Sequence, residues 1–442
     1  MKSLQKGSKK LLNAWAFYDW ANSVYSLTIA SAIFPLFYGA LFREAGIEKI
    51  EIFGGEIARG PLITYVTSFA FLVVSFLTPL LSGIADYVGN KKVFLKFFCY
   101  LGSISSIGLY WFSLDAIYLS LTIYFFGLIG FWGSLVFYNS YLPDVAFPEQ
   151  QDRISAKGYS LGYIGSVFLL LLNLAMIMKY EWFGFEGAGE PTKISFILVG
   201  IWWALFSQYS FYYLPKGNDN TGKVSKKVLL NGFRELKKVW NRLGDNLRLK
   251  RYLIAFFVYS MAVQTVMLVA SYFAEEELAW ESDSQRTTGL IISILLIQLV
   301  AVAGALLTSR ISEKIGNIKT LIAINIIWVI ICCYAYFVIT PEQFYVTAAF
   351  VGLVMGGIQA LSRSTYSKFL PETKDTASFF SFYDVAEKIG IVIGMFLYGF
   401  MAQITGSMRT SIVLLGLIFL IGVVLLLKVE KSGVGSRESQ GK

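Results

Sequence analysis

Residues 82–92 read SGIADYVGNKK, and residues 309–319 read SRISEKIGNIK. In both stretches a serine, an acidic residue, a Gly-Asn pair and a final lysine recur in register. A second echo pairs YLPDVAFPEQQDRIS at 141–155 with FLPETKDTAS at 369–378. Since both echoes relate the first part of the chain to the second, the sequence predicts two related halves.

Each half is rich in apolar windows that are long enough to cross a bilayer. The chain is 56% hydrophobic and only 15% charged, a balance typical of membrane proteins. Windows of spanning length lie at 14–41, 61–84, 93–113, 116–140, 156–178, 193–213, 252–274, 287–310, 318–338, 342–366, 378–402 and 408–428. Because backbone groups in hydrocarbon must be paired within each segment, we expect an all-α integral membrane protein with twelve helices in two six-helix repeats.

The basic residues predict the orientation. If both termini are cytoplasmic, that side carries about 30 of the 38 Lys and Arg residues, the other side carries seven, and Lys388 lies within a span. The expected organisation is a six-helix bundle, a basic cytoplasmic linker, a second six-helix bundle and a cytoplasmic tail, at 1–213, 214–251, 252–428 and 429–442.

The linker has its own pattern. Its apolar residues recur at helical spacing among many Lys and Arg residues, which predicts an amphipathic helix on the anionic inner leaflet of the bilayer. The formal charge of +9 does not indicate a nucleic-acid partner, because the basic residues lie between apolar spans.

Several function classes lack their usual residues. The chain has no histidine, no GxSxG and no P-loop, and its cysteines, Cys99, Cys332 and Cys333, lie in apolar runs without a CxxC spacing. We therefore expect no enzyme activity, no cofactor, no metal site and no direct use of ATP. The basic N-terminal stretch precedes an apolar run without a cleavage signal, so we interpret that run as a retained first span.

The loop ADYVGNKK, with Asp86, Gly89, Lys91 and Lys92, resembles the loop signature of the major facilitator superfamily, although Ser82 stands where that signature usually has glycine. Five further stretches resemble the vacuole-effluxer family within that superfamily: FYDWANS (17–23), YNSYLPDVA (138–146), GYSLGYIG (158–165), GGIQALSRS (356–364) and FFSFYDVAEK (379–388).

The resemblance implies a transporter with the major facilitator fold. Its family includes fungal vacuolar amino-acid exporters and bacterial transporters. One departure lies in the seventh span, where VYSMAVQT (258–265) lacks an acidic residue that relatives often carry. In the superfamily the Asp86 loop pairs charges across helices when the cytoplasmic side is closed. The resemblance therefore implies a conformational gate of Asp86, Gly89, Lys91 and Lys92, with Glu313 and Lys319 as its echo.

Ionisable residues inside the spans are few. Asp19 shares one face of the first span with Asn22. A charged side chain would cost about 2.5–3.5 kcal/mol at a lipid-facing helix centre. We therefore expect this face to point into the bundle. Asp19 is either an inner gate or substrate contact, or a structural hydrogen-bonding residue between helices.

The eleventh span carries Asp384, Glu387 and Lys388 on one face, with Lys388 four residues after Asp384. Two carboxylates that compete for one ammonium group make a reasonable site for a proton or a zwitterion. Asp384 and Lys388 alternatively form a permanent structural ion pair. Because that alternative leaves Glu387 unexplained, Glu387 is the first candidate for coupling transport to an ion.

Other polar residues in the spans are candidates for the cavity lining: Asn139, Gln264, Gln359 and Arg363. Such residues either line a cavity or join helices. Arg363 has three alternatives: pairing with Asp19, binding an anionic group, or extending its side chain to the membrane interface.

These patterns predict a secondary active transporter that is coupled to protons and carries a small polar or zwitterionic solute such as an amino acid. A lipid flippase and a non-transporting receptor are the alternatives. We expect a monomer in a bacterial inner membrane, or in a vacuolar membrane if the source is eukaryotic.

Overall fold

The computed structural model describes residues 4–217 and 226–440, and these contain twelve helices long and apolar enough to cross a membrane. We number them spans 1 to 12. Spans 1 to 6 are Lys9–Glu44, Arg59–Val88, Lys91–Trp111, Ile117–Val145, Pro148–Met178 and Gly189–Tyr213. Spans 7 to 12 are Leu247–Glu277, Ser284–Ile315, Asn317–Ala335, Pro341–Phe369, Thr376–Thr405 and Met408–Lys431. The predicted fold of twelve membrane-spanning helices is confirmed.

Some spans are composite. Span 1 joins an α-helix, a π-helical segment and a second α-helix, Lys9–Val24, Tyr25–Ala32 and Ile33–Glu44. Spans 3 and 4 end in short helices, Leu109–Trp111 and Leu142–Val145. The helix of span 8 begins at Asp283, and that of span 12 continues to Gln440 through much of the predicted tail. Strands β1 (Lys49–Ile52) and β2 (Gly55–Ala58) form an antiparallel hairpin between spans 1 and 2.

Residues at the helix ends explain where the spans begin and stop. Gly89 ends span 2 in the left-handed conformation, at φ 73°, which glycine adopts without steric cost. Thr340 and Gln343 form a reciprocal capping box at the start of span 10, where Pro341 occupies the first turn. These local signals set the ends, while the apolar runs between them set the lengths.

The two halves form two bundles, each with its own apolar core. The first core includes Trp15, Phe98 and Trp203, and the second includes Trp328 and Phe419. The bundles meet where spans 2 and 4 pack on span 11 and where span 5 packs on spans 8 and 10. With an even number of spans, Lys9 at the start of span 1 and Lys431 at the end of span 12 lie on one side of the molecule, which we call the terminal side.

Span 1 begins earlier than its apolar window predicts. The window starts near residue 14, whereas the helix starts at Lys9, because polar residues that open a helix do not register as apolar. Asp19 lies ten residues after Lys9, or about 15 Å along the axis at 1.5 Å per residue. It is therefore deeper in the bundle than the apolar window alone suggests.

The linker forms a helix, Lys226–Asp245, that packs against spans 2, 7 and 11. Val239 and Leu243 are buried in the core of the second bundle, and Arg242 pairs with Asp375 at 3.1 Å. The sequence predicts a helix resting on the leaflet, but this part of its apolar face rests on protein. Residues 218–225 of the linker and residues 441–442 of the tail lie outside the described residues.

Candidate functional site

An ion pair joins the two bundles in the interior of the protein. An Arg363 Nη2 group donates to Asp19 Oδ2 at 3.1 Å, and the two side chains are 2% and 5% exposed. Asp19 belongs to span 1 and Arg363 to span 10. Tyr138 of span 4 donates its hydroxyl to the same carboxylate oxygen at 2.8 Å. Of the three alternatives for Arg363, the structure therefore has the pairing with Asp19.

Arg363 has further partners, all of them from the first bundle. Its Nε donates to Ser155 Oγ at 3.0 Å, a second nitrogen donates to the Ser155 carbonyl, and a third donates to Asn139 Oδ1 at 3.2 Å. Three aromatic rings lie within 5.4 Å of its guanidinium carbon, those of Trp15, Tyr138 and Tyr159. A guanidinium group in such a cage is fixed in place rather than extended toward the interface.

Span 5 approaches this pair closely because Gly158 has no side chain. A Cβ atom at that position would lie 3.1 Å from Arg363 Nη2 and closer still to Asp19 Oδ2. One turn later, Gly162 faces Ser23 of span 1 in the same way. The absence of side chains here leaves the space that the ion pair fills.

The second cluster lies on span 11. Lys388 Nζ donates to Asp384 Oδ1 and to Glu387 Oε2, each at 2.9 Å. The Lys388 side chain is wholly buried, whereas those of Asp384 and Glu387 are 7% and 18% exposed. The expected pairing of Lys388 with Asp384 is present, and Glu387 shares the same ammonium group.

Two neighbouring spans complete this cluster. Gln264 of span 7 donates to Glu387 Oε1 at 2.7 Å, and the Lys388 Nζ lies 3.8 Å from the ring centroid of Trp132 in span 4. Within the described residues, Asp384 Oδ2 is buried and has no hydrogen-bond donor. One ammonium group therefore serves two carboxylates, and one carboxylate oxygen is left unpaired.

Polar contacts also lie between the two clusters. Gln359, one turn from Arg363 on span 10, accepts a hydrogen bond from Tyr163 at 2.5 Å and donates to Met267 Sδ at 3.3 Å. Asn22, predicted alongside Asp19, is buried and accepts from Ser23 instead of joining either cluster.

The predicted gate loop touches the other bundle. Asp86 accepts from the backbone nitrogens of Ala377 and Ser378, at 3.2 and 2.7 Å, at the N-terminus of span 11. Lys91 pairs with Asp144 and donates to Thr376 Oγ1 at 2.7 Å.

Lys92 has a different partner. It points within its own bundle, where it donates to the Leu214 carbonyl at 2.7 Å. The loop around Gly89 thus contributes Asp86 and Lys91, but not Lys92, to contacts between bundles.

Glu313 and Lys319, predicted to repeat the gate loop in the second half, have separate partners. Glu313 pairs with Arg153 at 3.1 Å, and Lys319 lies 3.9 Å from Glu430 within its own bundle. Glu313 and Lys319 therefore do not form an inter-bundle unit together. Glu313 contacts the other bundle, as Asp86 does, whereas Lys319 contacts its own.

Asp152 of span 5 also joins the two bundles. It accepts from Lys368 Nζ at 2.5 Å, from Asn317 Nδ2 at 2.8 Å and from Ser312 Oγ at 3.2 Å. Sequence reasoning missed it, although the second echo places Asp152 opposite Asp375, each three residues before a serine. Trp132, Ser155 and Tyr159 were also missed, because nothing in an aromatic or serine residue within an apolar run identifies its partner.

Comparison with known proteins identifies the family. The profile described as "Vacuole effluxer Atg22 like" matches residues 7–434. The chain belongs to the vacuole-effluxer family.

Its relatives include bacterial and fungal proteins. The "Uncharacterized MFS-type transporter YxiO" of Bacillus subtilis is 31% identical over 431 residues, covering 96% of this chain and 95% of its own. "Autophagy-related protein 22-1" of Phaeosphaeria nodorum is 22% identical over 528 residues, covering 95% and 90%. Since the match spans nearly the whole length of these relatives, the family assignment places this chain among membrane transporters.

Solved structures share the fold. The fucose:proton symporter of E. coli superposes with a TM-score of 0.65 at 15% identity, covering 95% of this chain and 97% of its own. The human organic anion transporter MFSD10 gives 0.65 at 14% identity, covering 96% and 100%. At such identities the likeness shows the major facilitator fold of this vacuole-effluxer family protein.

Proposed function

We propose that this protein is a proton-coupled secondary transporter that moves a small polar or zwitterionic solute by alternating access, with amino acids as the first candidates. In this proposal both termini lie in the cytoplasm, and the membrane is a bacterial inner membrane. The distribution of Lys and Arg supports this orientation, because the linker and both tails lie on the basic side.

Contacts across the bundle interface support alternating access. Asp19 with Arg363, Asp86 with the start of span 11, and Asp152 with Lys368 each join one bundle to the other. Contacts of this kind must break when the bundles separate on the terminal side, so they bias the equilibrium between the states closed and open on that side. In this interpretation the structure represents the state closed on the terminal side.

The charge count in span 11 is the single observation that carries proton coupling. Asp384 and Glu387 face one ammonium group, that of Lys388, in a largely buried site. An uncompensated negative charge in such a place is costly, and a proton or a cationic group removes the imbalance. Glu387 is the more exposed carboxylate and therefore the better placed of the two to exchange a proton with a water-filled path.

The test is flux in proteoliposomes that contain the purified full-length protein. An imposed pH gradient should drive uptake of a radiolabelled amino acid from a panel, and Glu387→Gln should lose the dependence on the gradient. Glu372→Gln, the same change at an exposed residue in the loop before span 11, is the matched control and should behave as the parent.

The outcomes separate the parts of the proposal. Flux that depends on the gradient in the parent and in Glu387→Gln alike would contradict the assignment of Glu387. Flux without any dependence on the gradient would contradict proton coupling. No flux across the whole panel, from protein that remains folded, would contradict the amino-acid cargo.

A further inference from the structure

The surroundings of the Lys388 ammonium group match what a free primary ammonium ion would require. Two carboxylate oxygens accept from it at 2.9 Å each, and the face of Trp132 lies 3.8 Å from its nitrogen. Carboxylates provide charge-assisted hydrogen bonds, and an aromatic face provides a cation–π contact. The nitrogen belongs to span 11, whereas the ring belongs to span 4 of the other bundle.

We infer that Asp384, Glu387 and Trp132 form a primary-ammonium site, and that the ammonium group of the substrate enters it by displacing Lys388. This inference rests on the proposed function and names the chemical group that the transporter recognises. Lys388 then serves as a tethered cation that fills the site while no substrate is bound.

Two features of the carboxylates support an exchange of cations. Asp384 Oδ2 is buried without a donor, so the site has an acceptor that Lys388 does not use. Glu387 is 18% exposed and is held from its other oxygen by Gln264. An arriving ammonium group can therefore contact one carboxylate before Lys388 leaves the other, and the four-carbon stem of a lysine is flexible enough to move aside.

Arg363 is not available to the carboxylate of the same amino acid. It is already neutralised by Asp19 and donates to Ser155 and Asn139. The group that the span 11 cluster recognises is therefore the ammonium.

The direct test removes the tethered cation. Purified Lys388→Ala protein has an unfilled site, so n-propylammonium chloride should raise its melting temperature in a saturable, concentration-dependent way. Tetramethylammonium chloride and NaCl at equal ionic strength should have no such effect, since neither offers N–H donors. The parent and Lys374→Ala, the same change at an exposed lysine, should respond only at higher propylammonium concentrations, because Lys388 must first be displaced. An equal response to all three salts, or none to propylammonium, overturns the inference.

A second measurement on the parent decides the matter if Lys388→Ala does not fold. Alanine methyl ester keeps the ammonium group and lacks the carboxylate, whereas N-acetylalanine has the reverse. The ester should raise the melting temperature of the parent, and N-acetylalanine should not. N-acetylalanine equalling the ester, whether both act or neither does, overturns the inference. Both measurements are of binding, so a failure of proton-driven flux leaves them readable, and intact flux without an ammonium response overturns only this inference.

Discussion

The two buried ion clusters differ in the parts of the molecule that they join. Asp19 and Arg363 come from spans 1 and 10, so their pair crosses from one bundle to the other. Asp384, Glu387 and Lys388 lie within one turn of span 11. The first pair needs the bundles to be together, whereas the second is made by one helix in any arrangement of the bundles.

The charge balance of the two clusters also differs. Asp19 and Arg363 are one acid and one base, and neighbouring hydroxyl, amide and carbonyl groups satisfy them further. The span 11 cluster has two acids for one base. The comparison indicates that the first cluster responds to conformation, and that the second responds to what occupies it.

The largest effect should come from Asp19→Asn. The matching acid-to-amide change in the second cluster, Glu387→Gln, is its comparison. Asp19→Asn leaves Arg363 buried without its counter-ion and should lower the free energy of unfolding by about 3–5 kcal/mol. Glu387→Gln leaves Lys388 paired with Asp384 and should cost less than about 1 kcal/mol. Chemical denaturation of both variants in the same detergent, followed by tryptophan fluorescence, compares them. Equal losses would remove the distinction between the clusters.

Gly158→Ala tests whether the first cluster depends on the close packing of span 5. The new Cβ would crowd Arg363 and Asp19, so we expect a loss of about 1–3 kcal/mol in unfolding free energy. Gly399→Ala is the matched control, because a Cβ there meets no atom within 4 Å. That control should be neutral or slightly stabilising. A neutral Gly158→Ala would mean that span 5 moves aside at little cost.

Asp86→Asn should change the equilibrium between the open and closed conformations more than it changes the stability of the fold. It removes the charge at the N-terminus of span 11, which is worth about 1 kcal/mol, and so should raise the fraction open on the terminal side roughly fivefold. Spin labels at Glu149 and Lys374, in protein lacking the native cysteines, would report the separation of the bundles there. Asp245→Asn, at an exposed acid, is the control. An unchanged distance distribution would contradict a conformational role for Asp86.

The smallest effect should come from Arg153→Ala. Arg153 and Glu313 also join the two bundles, but their side chains are 76% and 34% exposed. Water and salt screen such a pair, so its loss should change the unfolding free energy by less than about 0.5 kcal/mol. Denaturation at low and high salt would check this. A loss as large as that of Asp19→Asn would show that burial is not what separates the contacts.

Much of the fold could be predicted from local properties of the chain. The length of each apolar run predicts a span, and the echoes at Asp86 and Glu313 predict two halves, because both features depend only on residues close in sequence. The contact between Lys388 and Asp384 was predictable for the same reason, since residues four apart meet on any helix.

Partners across the interface depend on which helix faces pack together, and the sequence left those open. It offered Arg363 three alternatives, and only the packing of span 10 on spans 4 and 5 selected Asp19. It proposed Glu313 with Lys319, whereas in the tertiary structure Glu313 pairs with Arg153 across the interface and Lys319 stays within its own bundle. A side chain's spacing along its own helix is fixed by 3.6 residues per turn, but its partner on another helix is fixed by the geometry of packing, which no local pattern encodes.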